Sequence, residues 1–296
     1  MTISKLPPLD IIILNYNTAS LTSQLVNNLT PNQPSNWTIT IIDNASSSTD
    51  QTKLHRLKKL YPHLNLVFLP KNLGFAKANN IALRSTQSPY ILLLNSDIIT
   101  NIPTIQKTLR FLLTKPKAAV VTPKLFLNTQ RTQLDWACHR GFPTPWAALT
   151  YFLKLETLFP FIPLFSQYHQ RYKNLNIPHQ VDAISGAFFL AKRADLVQVG
   201  FFDEDYFMYG EDIDLCYKLK KSGKQIWFYP HAYAIHLKHQ AGLKNSSSST
   251  KHLTRSYFFQ AMKIFYIKHY ASLYPSWFNK LVLTGIDLLQ TSPFKK

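Results

Sequence analysis

Acidic residues are scarce in this chain: 15 Asp and Glu stand against 33 Lys and Arg among 296 residues, a formal net charge of +18. Such a surplus calls for an anionic partner: nucleic acid, an acidic membrane surface or a phosphorylated ligand. No zinc-finger, RNP or helix-turn-helix pattern accompanies the scattered basic residues, so nucleic acid is the least favoured of the three. Cysteine is nearly absent too. Cys138 and Cys216 lie far apart without metal-ligand spacing, which sets aside a catalytic thiol and suits a reduced, cytoplasmic setting. Residues 1–10 contain no apolar signal-peptide core. No stretch reaches the roughly 20 uncharged apolar residues of a membrane span. The nearest, 146–165, is interrupted by Lys154, Glu156, Pro160 and Pro163. Neither Gly-x-Gly-x-x-Gly nor a Walker Gly-Lys-Ser/Thr occurs, which argues against dinucleotide oxidoreductases and P-loop NTPases.

What is present is an ordinary globular composition, 46% hydrophobic and 16% charged. Short apolar runs at 9–14, 37–42, 64–69, 90–94 and 118–121 alternate with segments of helical spacing, and Thr49 or Asp50 is placed to cap the second of those helices. This rhythm predicts βαβ units and a mainly parallel central sheet with flanking helices, an α/β fold. Ligands of such sheets bind beyond the carboxyl ends of the strands. Three of those ends carry Asn15 and Asn17, Asp43 and Asn44, and Asn95 and Asp97. Between 122 and 180 the pattern loosens into a Trp-, Phe- and Pro-rich stretch. It reads as core packing, with an exposed apolar surface for a lipid-bearing partner as the alternative. Strands at 225–229 and 233–237 follow, the second containing His236. Residues 252–270 and 275–289 have the spacing of amphipathic helices.

The scarce acid is concentrated. Asp203, Glu204, Asp205, Glu211, Asp212 and Asp214 fall within twelve residues, interleaved with Tyr206-Phe-Met-Tyr209. Carboxylates crowded against aromatic walls are candidates for metal binding or general base work, although an exposed acidic loop capping a helix would have the same composition.

Six pieces in order carry a resemblance: Ile-Leu-Asn-Tyr-Asn-Thr (13–18), Ile-Asp-Asn-Ala-Ser-Ser (42–47), Asn-Leu-Gly-Phe-Ala-Lys-Ala-Asn-Asn (72–80), Leu-Leu-Leu-Asn-Ser-Asp (92–97), Ser-Gly-Ala-Phe-Phe-Leu (185–190) and the acidic run 200–216. Together they resemble the inverting nucleotide-sugar glycosyltransferases of family 2, in the rhamnosyltransferase-like branch that builds surface polysaccharides. The resemblance implies an A-type glycosyltransferase fold over 1–245, with a nucleotide-binding half (1–121), an acceptor-binding half (122–245) and a C-terminal helical extension (246–296). It implies transfer of a sugar, with rhamnose the candidate, from a nucleoside-diphosphate donor to a glycan or lipid-linked acceptor. A nucleotidyltransferase and a non-catalytic glycan- or membrane-binding module of the same fold are the alternatives.

Carried onto these residues, Asp43 would hydrogen-bond the base or ribose, or simply form its own turn. Asn15 and Asn17 would line that pocket and Asn79 its far wall. Asn95 stands where the family commonly has the first acid of Asp-x-Asp, so Asp97 supplies the charge to a Mg²⁺ or Mn²⁺ ion. His236 is the candidate second metal ligand, with His231 and His239 as rivals and a packed core histidine as the alternative. Asp212, at a helix start, is the candidate general base, with Glu211 orienting it or the acceptor and Asp214 on the helix surface. Gly186 would let the backbone approach the donor sugar. The positive charge and C-terminal helices fit a cytoplasmic enzyme resting peripherally on an anionic membrane.

Overall fold

The computed structural model describes residues 6–238 and 248–291. Among these residues nine strands form one sheet: β1 (Leu9–Asn15), β2 (Trp37–Asp43), β3 (Asn65–Phe68), β4 (Tyr90–Asn95), β5 (Ile98–Ile99), β6 (Ala118–Phe126), β7 (His179–Val181), β8 (Phe188–Lys192) and β9 (Gln225–His236). Their order is β3-β2-β1-β4-β8-β6-β9-β5, with β7 also on β9. In β1, Ile11, Ile12 and Ile13 are all fully buried, which is why it reads as a continuous apolar run: helices cover both faces of a parallel strand. Around the sheet lie α1 (Ala19–Leu29), α2 (Ser48–Leu60), α3 (Gly74–Ser85), α4 (Ile102–Leu113), α5 (Pro145–Phe152), α6 (Leu155–Leu158), α7 (Arg193–Gln198), α8 (Glu211–Lys221), α9 (Ser248–His269) and α10 (Ser276–Thr291).

The first half of the sheet is parallel as the βαβ rhythm predicts; the second half is mixed. β8 lies between β4 and β6 and runs antiparallel to both, while β6 and β9 are parallel and β5 and β7 oppose β9. The physical reason is the path of the chain: the long excursion from 127 to 178 contributes no strand and leads into β7 on β9, and the 182–187 segment then brings the chain beside the carboxyl end of β4. The strand that starts there has to run backwards, with Phe188 opposite Leu94. The 225–229 and 233–237 runs form one strand, β9, whose register against β6 jumps from Tyr229 to Tyr233 across Pro230. Such an interruption bends a strand without ending it.

Caps also moved. The side chain that caps α2 is Ser47, accepting from the Asp50 backbone N–H. Asp50 instead reaches across to accept the Ala19 N–H at the start of α1, 2.8 Å away. Much of the aromatic stretch after α5 is surface, not core: Leu158 is 68% and Phe161 79% exposed. The C-terminal helix α9 packs onto α8, with Phe265, Tyr266 and Tyr270 buried in the main core.

Candidate active site

Short polar links join the carboxyl ends of the strands into one cluster. Asn15, at the end of β1, is fully buried and donates to Asp43 Oδ1 at 2.8 Å and to Ser46 Oγ at 3.0 Å, while its own oxygen accepts from Thr18 and Thr22. Asp43 is fully buried and accepts four bonds: Asn15, the Ser46 hydroxyl (2.5 Å), the Ser46 N–H (3.1 Å) and Gln51 Nε2 (3.1 Å). A carboxylate has about four acceptor sites, so these donors occupy it. Asp43 therefore organises the pocket floor in this conformation, and a base or ribose reaching it would displace Gln51 or Ser46. Asn17 adopts the left-handed conformation (φ 55°) and accepts the Ser47 N–H, bridging the first and second strand-end loops. Asn79 is buried in α3 and donates to the Phe75 carbonyl one turn back, a helix-local contact.

Thr18 meets Ser96 hydroxyl to hydroxyl at 2.8 Å, which fastens the first loop to Asn95-Ser-Asp97. The Asn95 N–H donates to the Ala187 carbonyl at 3.0 Å. The neighbouring Gly186 N–H donates to Asp212 Oδ2 at 3.2 Å. One short turn thus ties the Asp-x-Asp position to the candidate base. Gly186 does not open toward a sugar: a Cβ there would stand 3.0 Å from the Phe75 ring, and the space is taken by Phe75 and by Asp212.

Asp97 and His236 come together, with His236 Nε2 at 3.4 Å from Asp97 Oδ1. His236 Nδ1 pairs with Asp135 Oδ2 at 2.7 Å, and Lys238 completes that carboxylate at 2.8 Å. Burial alone would lower the His236 imidazole, but Asp135 and Asp97 outweigh it and lift it to about 9. Asp135 is held well below the usual carboxylate range, because His236 and Lys238 overcome the cost of its burial. His231 is exposed at the bend of β9, and His239 lies outside the described residues. Octahedral ligands at about 2.1 Å from a cation are about 3 Å apart, so the Asp97–His236 spacing suits a shared divalent ion. Asp135 holds the distal nitrogen as the supporting carboxylate of a metal-bound histidine does, so an ion that displaced the Nε2 proton would find that nitrogen already aimed beside Asp97. Among the described residues no cluster of three or more ligating side chains forms, so substrate oxygens would fill the remaining positions.

At the start of α8, Asp212 forms a buried ion pair with Arg140, 2.7 Å apart, with both side chains about one-tenth exposed. Arg140 also donates to the Ile184 carbonyl. Its burial opposes the charge, yet the Asp212 carboxylate keeps the guanidinium above its usual range. Glu211 is different. Its Oε2 is buried with no hydrogen-bond partner, and burial, reinforced by the neighbouring Asp212, pushes its carboxyl up to about 8.

The other four acids of the run are structural. Asp203 and Asp205 both pair with Lys268 of α9, and Glu204 pairs with Arg84 of α3. Asp214, expected on the helix surface, is buried and meets His269 at 2.6 Å, because α9 covers that side of α8. Arg140, Asp135, Ser46 and Gln51 are the site residues that the motifs did not single out. Asp135 had a signal: it is the only acid between residues 98 and 155 of an acid-poor chain.

A protein-family model described as Glycosyl transferase family 2 matches residues 10–200, well over half of the sequence. The chain belongs to glycosyl transferase family 2. It is 33% identical over 173 residues to rhamnosyltransferase WbbL of Escherichia coli, a match spanning 56% of this chain and 61% of that protein. It is 40% identical over 79 residues, 26% of each protein, to an N-acetylglucosaminyl-diphospho-decaprenol L-rhamnosyltransferase of Mycobacterium tuberculosis. These matches therefore cover less than two thirds of either relative. In structure, the mannosyltransferase PcManGT of Pyrobaculum calidifontis, in complex with GDP-Man and Mn²⁺, aligns with a TM-score of 0.60 at 17% identity over 96% of this chain and 70% of that one. The A-type glycosyltransferase fold follows from this likeness and from the family.

Proposed function

We propose that this family 2 chain transfers a sugar, with rhamnose the first candidate, from a nucleoside-diphosphate donor to a glycan or lipid-linked acceptor, inverting the anomeric centre. The observation that carries the reading is the turn 185–187, which holds Asn95 with one residue and Asp212 with the next. A donor diphosphate near Asp97 and an acceptor hydroxyl near Asp212 would then face each other across one turn. Attack from the side opposite the leaving group inverts the reacting carbon. The WbbL and mycobacterial relatives, both named as rhamnosyltransferases, favour rhamnose.

Asp212 acts as the base: Arg140 and the Gly186 N–H hold its carboxylate and aim it from the start of α8. Glu211 is the second reading for this role, since a carboxyl at about 8 takes up a proton most readily near neutrality. Asp97 and His236 would hold Mg²⁺ or Mn²⁺. When bound, such an ion stabilises the charge that develops on the departing diphosphate. Asn15, Asn17, Asp43 and Asn79 form the nucleotide side, and the enzyme works at an anionic membrane face. No helix among the described residues is long and apolar enough to cross a membrane.

Calorimetric binding of UDP, dTDP and GDP, each with and without Mn²⁺, tests the donor site. One diphosphate should bind tightly with Mn²⁺ and be lost in Asp97→Ala. No binding of any of the three would remove the transferase reading and leave a silent binding module. Transfer assays then separate the bases: Asp212→Asn should lose about a thousandfold in rate, while Glu211→Gln should keep most of it. The reverse result would install Glu211.

A further inference from the structure

Among the described residues, nothing covers two apolar surfaces. The first is the shelf that follows α5, where Leu153, Leu158, Phe161, Ile162 and Leu164 are exposed, Phe161 to 79%. The second is one side of α10. Trp277, Leu281 and Leu288 are 68%, 63% and 65% exposed and recur at intervals of four and seven residues, which places them on a single helix stripe; Ile286 faces inward. Scattered surface hydrophobics are ordinary, but grouped ones mark an interaction site.

The two surfaces converge on one turn of α9. Phe152, at the end of α5, stacks on Phe259 with ring centroids 6.5 Å apart. One turn earlier, Arg255 donates to the Leu289 and Gln290 carbonyls at the end of α10, at 2.6 and 3.0 Å. The Arg255 guanidinium also lies over the Phe259 ring.

Charge identifies the occupant. Segments 146–177 and 248–291 together contain eight Lys and Arg against two acids, Glu156 and Asp287. Glu156 is buried and engaged by His169, and Asp287 is paired with Lys263. The segments that carry the apolar faces are therefore net basic with almost no free acid of their own, even with Arg171, Lys263 and Lys268 paired to carboxylates. A second copy of a chain carrying +18 would meet like charge there. An anionic bilayer offers what both features need: a headgroup layer for the cations and an acyl boundary for the aromatic and leucine side chains.

We propose that the 153–164 shelf and the outer stripe of α10 form a single docking face for an anionic lipid bilayer. It rests on the reading that the enzyme works at a membrane and names the surface that meets it.

The test is co-sedimentation of the full chain with vesicles of phosphatidylcholine alone and of phosphatidylcholine with phosphatidylglycerol. Two double variants accompany it, Leu158→Glu with Phe161→Glu, and Trp277→Glu with Leu281→Glu. All four side chains are exposed, so thermal melting should not change. Wild type should bind the phosphatidylglycerol vesicles, and salt should weaken that binding. Each double variant should bind about tenfold more weakly, and the four changes combined should abolish binding. If wild type binds neither vesicle, the membrane reading itself falls. Wild-type binding that both double variants retain leaves that reading intact and overturns the docking face. Self-association in solution that the substitutions abolish overturns the bilayer in favour of a second copy.

Discussion

The two ends of the active site hold their carboxylates in opposite ways. On the nucleotide side, Asp43 is fully buried among neutral donors, an amide from Asn15, a hydroxyl and an N–H from Ser46, and a second amide from Gln51. On the acceptor side, Asp212 faces a buried cation, Arg140, and its neighbour Glu211 has no partner for one oxygen. Neutral hydrogen bonds fix the loop that the proposed reading gives to the nucleotide. A buried cation holds the carboxylate proposed as the base, and the price is the desolvation of both ions. The first arrangement supplies rigidity, and the second places a charged pair on the proposed acceptor side.

The comparison breaks hardest at Arg140. Arg140→Ala strands a buried carboxylate and should cost about 3–5 kcal/mol in a denaturant titration. Replacing both partners together, Arg140→Met with Asp212→Leu, should recover most of that loss while leaving no transfer activity, because an apolar pair no longer carries the desolvation penalty. A double variant as unstable as the single one would show that Arg140 matters through packing instead.

Glu211 sharpens the same side. For a carboxyl raised in the folded chain, the stabilising contribution is complete below its unfolded value and is lost as pH rises through the folded one. Here that window runs from 4.5 to about 8. Glu211→Gln, which mimics the neutral form, should match wild type in thermal midpoint near the bottom of the window and exceed it progressively toward the top. Equal midpoints across the window would mean that Glu211 ionises freely.

On the nucleotide side, Asp43→Asn retains one acceptor oxygen and turns an amide toward donors. It should cost about 1–3 kcal/mol in a denaturant titration. A loss as large as that of Arg140→Ala would remove the distinction between the two ends.

What could be read from the sequence follows from how far apart the partners lie. Strand ends such as Asn15, Asp43 and Asn95 were legible because buried parallel strands are apolar runs that stop abruptly where the site begins. The acidic run was legible as a feature but not in its parts. Whether a carboxylate is free depends on residues far along the chain: Arg140 is 72 positions from Asp212, Arg84 is 120 from Glu204, and Lys268 is 65 from Asp203. No local pattern encodes those meetings. The reversed strand β8 was hidden for a related reason, since its direction is set by where the 182–187 segment meets the end of β4 and not by its own residues.

The smallest expected effect separates the structural acids from the two that face the site. Lys268 holds Asp203 and Asp205 at 2.5 and 2.6 Å, but its side chain is about one-third exposed and Asp205 is 69% exposed. Water already screens such a pair, and exposed ion pairs contribute about 0–1 kcal/mol. Lys268→Met should therefore lower stability by no more than about 1 kcal/mol, an effect that fades in high salt, because either aspartate can turn to solvent when the ammonium is gone. Asp212 has no such escape, being buried against Arg140 and the Gly186 N–H. If Lys268→Met instead destabilised the chain as strongly as Arg140→Ala and did so at high salt, the latch between α9 and the acidic run would rank with the base as a buried electrostatic centre. The division of the six carboxylates into four that fasten and the Glu211–Asp212 pair proposed to face the chemistry would then have to be redrawn.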